Sequence, residues 1–220
     1  MNKNITKEFY KKIDLPYKLN ELEPIINFLS MHYHYDVLHE NYKINLNEKI
    51  LEEIEEEKLR KDFPTLEKLM KCWEQLPSKL KEDVRFFGGG LINHNFFFAN
   101  LTKPYKEEEK IDPDLLALIQ KKYTSLKELK AKLIESSLKV RGSGWTWLVL
   151  NEDNQLQIVN TANQDSPWLF NLRPLIAIDV WEHSYYLDFG TDRKEYVKKL
   201  LGHLLNWKYI SNVYLDYKNS

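Results

Sequence analysis

One motif near the end of the chain reads Asp179-Val180-Trp181-Glu182-His183-Ser184-Tyr185-Tyr186-Leu187. It begins at the end of an apolar run, Pro174–Val180, that predicts a β-strand. An unpaired carboxylate at Asp179 would be costly to bury among such neighbours. His183 follows four residues later, past a predicted chain turn, so both side chains can be directed to one centre. The motif therefore predicts part of a metal site.

Two further histidines lie in segments with helical spacing. His34, Leu38 and Tyr42 follow one another at intervals of four, so they share one face of a predicted helix. His32 and His39 point away from that face. Of the histidines in this segment, His34 is therefore the candidate ligand.

His94 lies in a second predicted helix, which runs from Ser78 to about Leu101 and places Gly90 and Phe97 on the same face. Three consecutive glycines, Gly88-Gly89-Gly90, fall inside this helix. Each costs roughly 1 kcal/mol relative to alanine in a helix interior. The missing side chains indicate that another group needs the space beside a ligand.

The candidate ligand set is three imidazoles and one carboxylate: His34, His94, His183 and Asp179. Such a set suits manganese, iron or zinc. The residues alone leave a zinc hydrolase open. They also leave open a structural zinc site, although such sites are usually closed and rich in thiolates.

The order of predicted elements indicates an α+β fold with two domains. The first half of the chain is helical, and the charged segment Lys103–Lys110 is the predicted linker. We expect an N-terminal helical domain over residues 1–105 and a C-terminal domain over residues 106–220. Three segments are rich in β-branched and aromatic residues and predict the strands of a small antiparallel sheet. They are Thr146–Leu150, Leu156–Thr161 and Pro174–Val180.

Several residues predict where helices begin. Pro24 suits the first turn of a helix, and Asp112-Pro113 is an N-cap followed by proline at the first helical position. Ser125 begins a capping box. The last predicted helix runs over Asp192–Trp207.

Composition excludes several classes of partner. Lysine plus arginine total 32 and aspartate plus glutamate total 33, so there is no basic excess of the kind that nucleic-acid binding favours. We expect no membrane partner, because no apolar run approaches a membrane span and Met1–Lys12 has no signal-peptide core. The single cysteine, Cys72, rules out an internal disulfide and indicates a reducing compartment. We expect a cytoplasmic protein.

The motif around His183 resembles the signature of the iron/manganese superoxide dismutase family, which usually has alanine where Ser184 stands. Further segments resemble that family in the same order and spacing: Leu22-Glu23-Pro24, Gly89–His94, Gly142–Leu148 and Thr161–Pro167. The resemblance runs from about Leu15 to Trp207. It implies an N-terminal helical hairpin domain and a C-terminal α/β domain with a three-stranded antiparallel sheet.

The resemblance also implies an activity, the conversion of superoxide to dioxygen and hydrogen peroxide at one manganese per subunit, with iron as the alternative metal. The implied ligands are His34, His94, Asp179 and His183. Gln164 would hydrogen-bond the metal-bound solvent. Tyr42 would bond that glutamine and stand at the substrate channel.

By the same resemblance, four aromatic side chains wall the site: Phe97, Trp145, Trp147 and Trp181. Glu182 would reach across a homodimer to the ligand His183 of the second subunit. Tyr186 would lie at this interface, where Leu38 stands in place of a histidine that many members pair with it.

The metal has a sequence cue within the family. Manganese-type members take the glutamine from the sheet segment and have glycine in the helix, and Gly90 with Gln164 matches that arrangement. The alternative reading is a non-catalytic member that keeps the metal for structure or metal binding. The Tyr42–Gln164 pair argues against it, because a structural metal needs neither residue.

Overall fold

The first part of the chain folds as two long helices with shorter ones between them. The computed structural model describes residues 8–106 and 110–219. Helix α1 (residues 28–53) combines Phe28–Met31, the π-helical segment His32–His39 and Glu40–Glu53. Helix α4 (residues 78–99) combines Ser78–Asp83, the π-helical segment Val84–Gly88 and Gly89–Ala99. Between them lie α2 (Glu56–Asp62), α3 (Leu66–Lys71) and a 3-10 turn (Trp73–Gln75).

The start of α1 differs from the sequence prediction. Pro24 is not in its first turn: it follows a cis peptide bond after Glu23, and the helix begins at Phe28. Asn27 caps the helix, since its side chain accepts a hydrogen bond from the backbone N–H of Ser30. Asn27 is held in turn by Asp188, which accepts its backbone and side-chain N–H groups. A polar contact between distant parts of the chain therefore sets the helix start.

Helix α1 turns its buried face toward α4. Tyr42, Leu46 and Ile50 recur at four-residue intervals and are buried together with His34. The two long helices pack against each other, most extensively where α1 meets the π-helical segment Val84–Gly88. This packing brings His34 and the histidine of α4 to the same side of the core.

The C-terminal part begins with two helices, α5 (Pro113–Tyr123) and α6 (Leu126–Lys139). Both predicted caps are confirmed. The side chain of Asp112 accepts from the backbone N–H groups of the first turn of α5, and Ser125 accepts from the backbone N–H of Glu128.

Three strands form an antiparallel sheet in the order β2-β1-β3. They are β1 (Gly144–Leu150), β2 (Leu156–Ala162) and β3 (Arg173–Asp179). The central strand β1 is buried along its whole length. Trp145 pairs with Thr161 on one side and with Asp179 on the other. The register therefore places Asp179 beside Trp145 at one end of the sheet.

The end of the chain holds three helices in its described part, where the sequence predicted one. After a 3-10 turn (Glu182–Ser184) come α7 (Tyr186–Phe189), α8 (Arg193–His203) and α9 (Trp207–Asn219). The predicted helix Asp192–Trp207 stops early because its backbone is used elsewhere. The backbone carbonyl oxygen of Leu204 accepts a hydrogen bond from the backbone N–H of Thr102. The backbone N–H of Asn206 donates to the backbone carbonyl oxygen of Asn100. None of the described helices is both long and apolar enough to cross a membrane.

The architecture confirms the predicted fold class, a helical N-terminal part followed by helices and a three-stranded antiparallel sheet. The division at residue 105 stays a prediction. Residues 107–109 of the predicted linker lie outside the described part of the chain.

Candidate metal centre

Four side chains meet at one point between the two parts of the chain. Nε2 of His34 and Nε2 of His183 each lie 3.2 Å from Oδ2 of Asp179, and Nε2 of His94 lies 3.6 Å from it. All four donor atoms lie within 4.8 Å of one another. Four nitrogen and oxygen donors this close together could hold a single metal ion between them.

Each ligand atom is aimed at the centre by its own element. His34 comes from the π-helical segment of α1, and His94 comes from α4. Asp179 is the last residue of β3, and its Oδ1 accepts the backbone N–H of Trp181, which leaves Oδ2 facing the centre. His183 lies on the 3-10 turn that follows. The turn returns the chain to the strand end, as the sequence predicted.

The chemistry of these donors fits a metal ion. Nδ1 of His94 lies 2.7 Å from the carbonyl oxygen of Gly90, so Nδ1 carries the proton and Nε2 keeps its lone pair for the centre. Nε2 of His34 and Nε2 of His94 are buried without a hydrogen-bond partner among the described residues. Buried polar atoms are seldom left so, and a cation at the centre would satisfy both.

Burial sets the protonation states that a metal requires. It lowers the pKa of His34 and lowers that of His94 well below the ordinary value, so both rings are neutral. Burial alone would raise the pKa of Asp179, but His183 and His34 outweigh it and hold that pKa below its usual range. The site therefore offers two neutral imidazoles, those of His34 and His94, and a charged carboxylate near neutral pH.

A hydrogen-bonded pair lies beside the ligands. Nε2 of Gln164 donates to the hydroxyl of Tyr42 at 3.0 Å. Oε1 of Gln164 accepts from Nε1 of Trp145 at 3.1 Å and from Nδ2 of Asn93 at 3.4 Å. Both of these partners present N–H donors, so the orientation of the amide is determined. The ring of Tyr42 lies 5.2 Å from that of His94.

Two family models cover nearly the whole chain. The model for the iron/manganese superoxide dismutase alpha-hairpin domain matches residues 9–102, and the model for the C-terminal domain of the same family matches residues 111–213. The chain belongs to the iron/manganese superoxide dismutase family. It is an oxidoreductase of that type, and the four converging residues are its candidate metal site.

The glycines of α4 make room for the polar pair of this dismutase. A Cβ on Gly90 would lie 2.4–2.7 Å from ring atoms of Tyr42. A Cβ on Gly89 would lie 2.0 Å from the backbone oxygen of Gln164. Real Cβ atoms do not approach other atoms so closely, so both positions require glycine. The space that the sequence indicated is filled by two groups from other parts of the chain.

Two of the predicted wall residues contact ligands directly. The ring of Phe97 lies 5.6 Å from that of His34, and the ring of Trp145 lies 5.1 Å from that of His94. Both aromatic side chains are almost completely buried. Both rings therefore lie against the candidate centre, where apolar side chains can influence the dielectric and redox behaviour of a metal.

The other two predicted wall residues differ from each other. Trp147 stacks on Trp145 at 5.4 Å and donates from Nε1 to Thr161, so it supports the wall from behind. Trp181 lies 5.5 Å from the ring of His183 and is half-buried. The functional roles of all four aromatic residues stay predictions.

The remaining histidines lie outside the ligand set. His32 pairs with Asp36, and Nδ1 of His203 contacts the backbone oxygen of Tyr105. His39 is fully buried, and its ring lies 5.5 Å from that of His94. Burial lowers the pKa of His39 to about 3. The sequence separated His39 from the ligands but gave no sign of this contact.

Asn93 is a second residue that the sequence analysis missed. Its side chain is buried and donates to the backbone oxygen of Gln164 at 3.1 Å. An asparagine beside a histidine in an apolar helix carried no recognisable signal, because its partner is 71 residues away in the chain.

Proposed function

We propose that this dismutase converts superoxide to dioxygen and hydrogen peroxide at one manganese ion, with iron as the alternative metal. The proposed ligands are His34, His94, Asp179 and His183. The observation that carries the proposal is the Gln164–Tyr42 hydrogen bond beside the converging donors. A metal that served only structure would need neither side chain.

When bound, the metal would supply the electron exchange, taking an electron from one superoxide and giving it to a second. The protein must supply the charge balance and the protons. Asp179 contributes one negative charge in a buried site, which favours the more highly charged metal state. The imidazole ligands carry no negative charge, so the Asp179 carboxylate has the largest electrostatic effect on the metal among the proposed ligands.

Tyr42 is the proposed proton donor. Burial raises the pKa of its hydroxyl to about 12, although the hydrogen bond from Gln164 acts in the opposite direction. The hydroxyl therefore stays protonated at neutral pH. Its oxygen already accepts from Gln164, so its own proton is free to be donated. The ring of Tyr42 lies 5.9 Å from that of Phe86, which is 40% exposed, so Tyr42 lies close to the surface.

Gln164 is the proposed residue that tunes the centre. Trp145 and Asn93 hold its amide oxygen, and Tyr42 takes one of the two hydrogens on Nε2. The second hydrogen is available to a group in the site. A donor fixed in this way can favour one charge state of the bound metal over the other.

We propose manganese over iron because Gln164 comes from the segment after β2 while Gly90 stands in α4 against the ring of Tyr42, and manganese-type members combine a glutamine from the sheet segment with a glycine in the helix. The expected result is a higher rate of superoxide removal per metal in the manganese-loaded protein than in the iron-loaded protein. Metal-free protein should be loaded with each metal, and the metal content of both forms confirmed before the rates are compared.

A zinc-loaded form is the control, because zinc has no redox chemistry and should leave superoxide removal at background. Equal rates with manganese and iron would defeat the manganese preference and leave a dual-metal enzyme. A higher rate with iron would reverse it.

We propose a homodimer in which Glu182 reaches the His183 ring of the second subunit. Glu182 is exposed and lies on the same 3-10 turn as His183. Its neighbours Tyr186 and Leu187 are 50% and 56% exposed in the single chain. We expect apolar contacts that include Leu38 to complete the interface.

Replacing Glu182 with alanine should weaken both dimerisation and metal retention, because a charged partner of a ligand imidazole is lost. Leu38→Ala is the matched control and should cost less while leaving the metal in place. Sedimentation at micromolar concentration, together with metal analysis, measures both effects. A monomeric wild type, or a Glu182→Ala protein that stays dimeric and fully metallated, would refute the interface.

We also propose the cytoplasm as the compartment. The support is the lone cysteine, Cys72, which is a free and half-buried thiol. Fractionation of cells that express the full-length protein would test this.

A further inference from the structure

A salt bridge outside the candidate site ties the Gln164 segment to helix α4. Arg85 donates from Nε to Oδ1 of Asp165 at 2.5 Å and from Nη2 to Oδ2 at 2.7 Å. Both oxygens of the carboxylate are therefore held in a planar, two-point contact, the strongest and most directional form of an ion pair. Asp165 is the residue directly after Gln164.

Arg85 belongs to a row of residues on α4 that all face this segment. Arg85, Gly89 and Asn93 follow one another at intervals of four, which places them on one face of the helix. Gly89 lets the backbone of Gln164 approach, and Asn93 binds its carbonyl oxygen. Arg85 holds the next residue at the outer end of the row.

The segment of residues 163–166 follows β2 through Asn163, whose φ of 50° turns the chain sharply. Its backbone bonds to Ser143, Ala162, Leu169 and the indole N–H of Trp181 tie it to its own part of the chain. Toward α4 its described hydrogen bonds are those of Asn93 and Arg85. The Gln164–Tyr42 hydrogen bond joins residues 122 positions apart, across the two parts of the chain. Its length therefore depends on how firmly the segment is held against α4.

We propose that Arg85 is a positioning residue of the dismutase: its two hydrogen bonds to Asp165 hold residues 163–166 against α4 and so fix the Gln164 amide on the Tyr42 hydroxyl. This inference rests on the proposed function. We call the Arg85–Asp165 ion pair the clamp. Its loss should change the redox behaviour of the bound metal without releasing the metal, because neither residue is one of the proposed metal ligands.

Global stability is not the main role of this pair. The Arg85 side chain is 39% exposed and that of Asp165 is 20% exposed, and ion pairs so near the surface contribute little to folding. A small displacement of a positioned group, by contrast, can cost a large factor in rate. The effect of the clamp should therefore appear at the site.

The test compares Arg85→Ala, Arg85→Lys and Asp165→Asn with wild type, all loaded with manganese. Arg60→Ala is the matched control, since Arg60 also bonds one carboxylate, that of Glu56, but on α2. The measurements are metal content, thermal unfolding, superoxide removal per metal and the midpoint potential of the bound metal.

Arg85→Ala and Asp165→Asn should keep the metal, lose about 10-fold or more in rate per metal, and shift the midpoint potential. Arg85→Lys should lie between them and wild type, because an ammonium group can hold one carboxylate oxygen. Arg60→Ala should match wild type in rate and potential.

Wild-type rate and potential in Arg85→Ala and Asp165→Asn would overturn the proposal, and so would loss of the metal from either. If one of the two variants does not fold, the other decides. If metallated wild type does not remove superoxide at all, the proposed function fails. The midpoint potentials still decide whether the clamp acts on the metal.

Discussion

Replacing His183 with alanine is expected to abolish both metal retention and superoxide removal. His183 supplies one of the four converging donors, and its Nε2 lies 3.2 Å from the carboxylate of Asp179. Without it, three donors remain around a buried charge. Metal per chain, measured on purified protein, and the rate of superoxide removal should both fall to background.

His203→Ala is the matched control for this change. His203 is also half-buried and also has one polar contact, but that contact is the backbone oxygen of Tyr105. The control should retain its metal and its activity. Loss of the metal from His203→Ala together with full retention in His183→Ala would show that the ligand assignment is wrong.

Replacing Gly89 with alanine is expected to destabilise the fold and impair the site together. The new methyl group would lie 2.0 Å from the backbone oxygen of Gln164, so the segment that carries Gln164 must move away from α4. Overpacking of this kind costs about 1–3 kcal/mol of unfolding free energy. The displaced amide should also lower the rate of superoxide removal per metal.

The chain offers a control for this substitution in Gly202. It lies in α8, and a Cβ there would meet nothing within 4 Å. Gly202→Ala should therefore be neutral or gain up to about 1 kcal/mol from the higher helix propensity of alanine. Thermal and urea unfolding of both variants measure the difference. Similar stabilities of the Gly89→Ala and Gly202→Ala variants would contradict the claim that the contact with Gln164 requires glycine at position 89.

Local spacing predicted those parts of the site that belong to one element. His34 and Tyr42 share a helix, so a four-residue interval was enough to place them on one face. Asp179 and His183 are joined by a short turn, which limits how far apart they can lie. The cost of glycine inside a helix also showed that space was needed at Gly90.

Contacts between distant segments could not be predicted in the same way. Neither periodicity nor composition specifies that Arg85 meets Asp165, or that Asn93 meets Gln164, because each pair is separated by some 70 to 80 residues. The same limit explains the helix boundaries that differed. Asp188 holds the residue that caps α1, and its place could be seen only in the folded chain.

The central claim is that this centre turns over superoxide, and the most direct test follows the products. Superoxide in large excess over manganese-loaded protein should decay far faster than in buffer. Hydrogen peroxide and dioxygen should form in equal amounts, one of each for every pair of superoxide ions consumed. Decay no faster than with the zinc-loaded protein, at confirmed full manganese content, would contradict the claim and indicate a family member that keeps its metal without catalysis.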